Sequence, residues 1–131
     1  MDIRGYHRYR EESLDTMTQG ELLLLLYDEL VKRLKLAGIE LERQQYDTFE
    51  QALHRSVAIL HYLSDTLDRS YPISHKLASL YEFFCYELCR VEAGRNQKEL
   101  ERVIRMTSEL RDSFRQADKN TTSGQRMEAQ L

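Results

Sequence analysis

Proline and glycine are scarce here, with one and five residues in a chain of 131. That scarcity excludes the turn-rich sandwiches and barrels, which need such residues at every corner. Tryptophan is missing altogether. There are only two cysteines, Cys85 and Cys89, too few for a disulfide framework or a tetrahedral zinc site. Their four-residue spacing suits two reduced thiols packed on a helix as small hydrophobes. No charge of one sign dominates either: 19 Lys and Arg stand against 22 Asp and Glu, for a net −3. A nucleic-acid or anionic-membrane partner is therefore not announced by bulk charge. Long apolar runs are also lacking. The longest, Leu22 to Tyr27, is far short of the roughly 20 residues of a membrane span or the 7 or more of a signal core. The expectation is a cytoplasmic protein without membrane insertion.

What is present is helical periodicity. Thr18 and Glu21 make a capping box ahead of a first helix, whose stripe is Leu23, Leu26, Leu30, Leu34, Ala37 and Leu41. Asp47 and Glu50 offer a similar start to a second, striped by Phe49, Leu53, Val57, Leu60, Leu63 or Ser64, and Leu67. Tyr71-Pro72 breaks that helix, and Ser74 is placed to cap a third. The third carries Leu77, Leu80, Tyr81, Phe84, Leu88 and Val91, and Gly94 suits a left-handed stop. Asn96 and Glu99 restart the chain into a fourth, with Leu100, Val103, Ile104, Thr107, Leu110 and Phe114, fading near Ala117. Short connections make consecutive helices antiparallel, so the predicted fold is all-α, an up-down-up-down four-helix bundle over 18–118. An N-terminal segment, 1–17, packs on it, and 119–131 is a flexible, polar C-terminal tail.

Catalytic chemistry is hard to find. A di-iron bundle needs Glu-x-x-His pairs, yet none of His7, His54, His61 and His75 has an acidic residue three positions earlier. His54 and His61 share a side of the second helix without a third ligand. Nucleophile elbows and phosphate-cradling glycine loops are missing. The sequence points away from an enzyme, with no catalytic residue, no metal and no cofactor.

Apolar surplus is the informative feature. At about 100° per residue, Leu25, Leu36 and Ile39 fall opposite the stripe of the first helix. Tyr62 lies behind the second stripe with Ile59 on its flank, and Phe83 and Tyr86 lie outside the third. Each alone is an ordinary surface or boundary hydrophobe; together they suggest a peptide-binding groove. The candidate peptide-binding residues are Leu25, Ile39, Ile59, Tyr62, Phe83 and Tyr86.

Several motifs, in order, resemble the flagellar secretion chaperone family, FliS. They are Tyr6-x-x-Tyr9, Thr18-x-Gly20-Glu21-Leu22, Leu26-Tyr27-Asp28, Ile59-Leu60, Ile73-Ser74 with Leu77, Leu80-Tyr81-Glu82, and Leu110-Arg111-Asp112-Ser113-Phe114. The sequence departs from the family at Gln19, often proline there, and at Phe114, often tryptophan. The resemblance implies a helical bundle, monomeric or weakly dimeric, that binds the disordered C-terminal segment of flagellin in the cytoplasm. Doing so blocks premature polymerisation and supports secretion, and other flagellar export or regulatory proteins are further partners. It also implies that the N-terminal segment lies over the groove, anchored by Tyr6 and Tyr9, either as a displaceable lid or as a permanently docked segment that completes the core. The rival expectation is a helical structural or regulatory adaptor that pairs with another protein and has no flagellin client.

Overall fold

A computed structural model describes residues 17–130 of the chain, with side chains through 120. Four helices follow one another: α1 (Gln19–Glu42), α2 (Tyr46–Asp65), α3 (Ile73–Gly94) and α4 (Gln97–Gln130). They close into a ring in which α1 packs on α2 and α4, and α3 bridges those two. The all-α, up-down-up-down bundle expected from the periodicity is the observed fold.

The local signals act as the sequence suggests at two helix starts. Glu21 N–H donates to Thr18 Oγ1 at 3.1 Å while Thr18 N–H donates to the Glu21 carboxylate, so α1 opens on a complete capping box. Glu99 N–H donates to Asn96 Oδ1 at 3.0 Å at the start of α4.

Three other boundaries differ. The Asp47–Glu50 start does not form: α2 begins at Tyr46, Gln45 provides no side-chain cap, and Gln44 takes a left-handed turn at φ 59°. Ser74 is not a cap either, because α3 already begins at Ile73 with Pro72 in the cap position. The left-handed stop after α3 falls on Arg95, φ 48°, and Gly94 remains helical. A side chain at that position costs about 1–2 kcal/mol relative to glycine. Arg95 offsets it by stacking its guanidinium 3.5 Å above the ring of Tyr46, a cation–π contact that ties the α3–α4 turn to the start of α2 at the same end of the bundle.

α4 also continues to Gln130 instead of fading near Ala117. The apolar stripe stops, but no proline interrupts, and each added residue needs only one more ladder bond.

The four stripes meet in one core. Leu30, Leu34 and Ala37 of α1, Phe49, Leu53 and Leu60 of α2, Phe84, Leu88 and Val91 of α3, and Leu100 and Val103 of α4 are buried together. Fully burying each large side chain contributes about 1.5–3 kcal/mol. One polar contact crosses this core: the hydroxyls of Tyr27 and Tyr81 hydrogen-bond to each other, and Phe114 tilts against Tyr27 at 5.4 Å between ring centroids. Burial pushes both phenols above their ordinary range, Tyr27 the further of the two.

Candidate functional site

The two ends of the bundle are built differently. At one end, three residues join α1 to α2 and two join α3 to α4, and Gln97 Nε2 donates to the Gly38 carbonyl at 3.3 Å across the gap. At the other, α2 passes to α3 through 66–72, and among the described residues no further segment fills the space between the helix ends.

That space is a trough of about 590 Å³. Leu23 of α1, Leu63 and Leu67 of the α2 end, Leu77 of α3 and Phe114 of α4 form its apolar floor. Tyr71 and Ile73 stand at its rim, 62% and 60% exposed. Their neighbour Asp68 accepts hydrogen bonds from the Ser70 hydroxyl and N–H, which holds its carboxyl below the ordinary range and shapes the turn. The buried hydroxyl of Ser74, in the trough wall, has no hydrogen-bond partner among the described residues. The trough can bury apolar side chains of another chain.

The six residues selected from helical position do not converge on one groove. Leu25, Ile39, Tyr62 and Tyr86 are exposed, whereas Ile59 and Phe83 are half-buried against the core. Helical position places Leu25, Ile59 and Tyr62 on the outer face of the α1–α2 pair. Phe83 lies on the far side of the bundle, 5.9 Å from the Arg102 guanidinium of α4, with Tyr86 facing outward beyond it. Ile39 lines a separate hollow between α1 and α4. None of the six lines the trough. Tyr6 and Tyr9, the lid anchors, lie outside the described residues.

Sequence reasoning missed Tyr71 and Ile73 because they sit at a helix break, where a helical wheel assigns no face. Two large apolar residues flanking Pro72 were the available signal. Among the described residues no cluster of three His, Cys, Asp or Glu could hold a metal ion. His54 Nε2 is instead 2.7 Å from Glu92 Oε1, a lone pair joining α2 and α3. Cys85 is half-buried, with its thiol pushed up chiefly by burial, but Cys89 is exposed rather than packed. No helix among the described residues is long and apolar enough to cross a membrane.

Comparison with known proteins finds relatives by sequence and by fold. A family model described as "Flagellar protein FliS" matches residues 2–121. The flagellar secretion chaperone FliS of Bacillus subtilis (strain 168) is 27% identical over 112 residues, 86% of this chain and 84% of that one. A crystal structure described as a flagellar chaperone from bacteria superimposes with a TM-score of 0.74 at 16% identity, covering 92% of this chain and 99% of the other. That last likeness concerns the fold.

Proposed function

The chain belongs to the FliS family of flagellar proteins, and from that premise we propose that it is a flagellar secretion chaperone whose client is the disordered C-terminal segment of flagellin. The observation that carries this reading is the trough: an open, apolar hollow left at one end of a bundle whose core is already complete. A monomer has no structural use for Tyr71 and Ile73 standing exposed around an apolar floor, and such a surface fits a partner chain. Terminal amphipathic segments that pack together in a filament are apolar on one face, so holding one of them removes a self-association surface until export. A disordered client also gives up part of its interaction energy in becoming ordered, which suits a complex that must later come apart.

The test is co-expression with the cognate flagellin, full-length and lacking its C-terminal segment, followed by size exclusion. The full-length protein is expected to co-elute and the truncated one to run apart; co-elution of both overturns the assignment of the client segment.

The same reading makes the N-terminal segment a lid, with Tyr6 and Tyr9 as anchors. It enters the bundle at α1, whose first residue, Gln19, borders the trough, so tethering gives it a high effective concentration there. Tyr9→Ala is expected to tighten client binding several-fold while leaving Tm nearly unchanged. An unaltered affinity in calorimetry rejects the lid.

A further inference from the structure

A second hollow, of about 460 Å³, runs along α1 on the side of α4. Val31, Leu36 and Ile39 give it an apolar bed, with Leu36 and Ile39 exposed. Its charge is unlike that of the whole chain. Lys32, Arg33, Lys35 and Arg111 line it against a single carboxylate, Asp28, although the protein carries a net −3.

That carboxylate is already neutralised, by Arg115 at 3.1 Å and Arg111 at 3.7 Å. Arg33 pairs with Glu29 at 3.4 Å, but neither Lys32 nor Lys35 has an ionic partner among the described residues. The bundle itself leaves these two ammonium groups unused beside two unused aliphatic side chains.

We propose that this α1–α4 hollow is a docking surface for an acidic amphipathic helix of a partner protein. The furrow between two antiparallel helices accepts the side-chain ridge of a third. From Asp28 to Ile39 the hollow follows about 16 Å of α1, three turns, which fixes the length of helix it can hold. Leu36 and Ile39 take the partner's aliphatic stripe, while Lys32 and Lys35 meet carboxylates on its flank. The bed contains no aromatic ring on which a nucleic-acid base could stack. A purely anionic partner would leave the aliphatic bed wet.

The hollow shares no lining residue with the trough, so both can be occupied at once. The inference therefore stands apart from the identity of the client.

The test uses the full chain and a fluorescein-labelled, end-blocked peptide of about 14 residues, with leucines at i, i+4, i+7 and i+11 flanked by glutamates. Fluorescence anisotropy compares it with a scrambled isomer and with a peptide carrying lysine for glutamate. The glutamate peptide is expected to bind better than both. Its affinity should fall about tenfold in the Lys32→Glu/Lys35→Glu chain and also in the Ile39→Asp chain, and weaken as salt rises from about 50 to about 300 mM. Tyr71→Ala should leave it unchanged. Lys32→Gln/Lys35→Gln, which only removes charge, gives the same reading if circular dichroism shows the reversed variant unfolded.

Binding no better than that of the scrambled peptide overturns the proposal, as does loss on Tyr71→Ala, which moves the peptide to the trough. Indifference to Ile39→Asp, or equal competition by heparin or phosphatidylserine vesicles, reduces the hollow to a cation patch and likewise overturns it.

Discussion

The closed and open ends of the bundle use the same materials to opposite effect. At the closed end, Gln44 and Arg95 accept left-handed backbone so that the chain can turn within two or three residues, and the Arg95 guanidinium lies on Tyr46. At the open end a longer connection leaves Tyr71 and Ile73 in water around an apolar floor. Strain is tolerated where it closes the fold, and exposure is tolerated where we propose that a partner is met. On this proposal stability and binding fall to different ends, and substitutions can separate them.

The largest effect is expected at the closed end. Phe49, fully buried in the first turn of α2, should cost about 3–5 kcal/mol when changed to alanine, read as a fall in the urea midpoint. A loss below about 1 kcal/mol would mean that this end is not what holds the bundle.

The tyrosine pair between the two ends comes next. Tyr27→Phe leaves the Tyr81 hydroxyl buried without its partner and should cost about 1–3 kcal/mol, whereas the double change to phenylalanine should recover much of that. Because both phenols are raised in the folded state, their contribution is fully present below about pH 10, where unfolded tyrosines begin to ionise, and is lost as pH climbs further. Urea titrations at increasing alkalinity should show that decline in the parent and a flatter profile in the double variant.

Arg95 sharpens the account of strain. Arg95→Ala keeps a side chain in left-handed backbone without the stack and should destabilise by about 1 kcal/mol; Arg95→Gly should lie within about 0.5 kcal/mol of the parent. Equal losses in thermal melts would show that the backbone there is not strained.

The smallest effect on stability belongs to the open end. Tyr71→Ala combined with Ile73→Ser should shift unfolding by no more than about 0.5 kcal/mol. Flagellin affinity by calorimetry should nevertheless fall at least about tenfold, and a variant that unfolds instead would make the rim part of the core.

Most of the frame was legible because it is written locally. The spacing of Leu30, Leu34 and Ala37, or of Phe84, Leu88 and Val91, returns each side chain to one face within the same helix, and all six are buried. Thr18 with Glu21, and Asn96 with Glu99, satisfy backbone groups three residues away, so their roles can be read without knowing what else is near. Arg95 could not be read in this way, since its compensation comes from Tyr46 on another helix.

The trough was illegible for a related reason. It is assembled from the ends of four segments distant in sequence, and its rim residues belong to the one stretch without periodicity. Helical arithmetic identified which side chains a lone helix leaves over, such as Leu25 and Tyr86, but not which leftovers the bundle gathers. Phe83 and Ile59 show the opposite error: neighbouring helices half-cover residues that a single wheel leaves outside.

The two tyrosine hydroxyls have one more consequence. Leu23 lies four residues before Tyr27 and Leu77 four before Tyr81, one helical turn each, and both line the trough. Slipping α1 past α3 by a turn, about 5.4 Å, would strand two buried hydroxyls at once. The jaws above them are thus held at a set gauge, and the proposed client must be cut to that width.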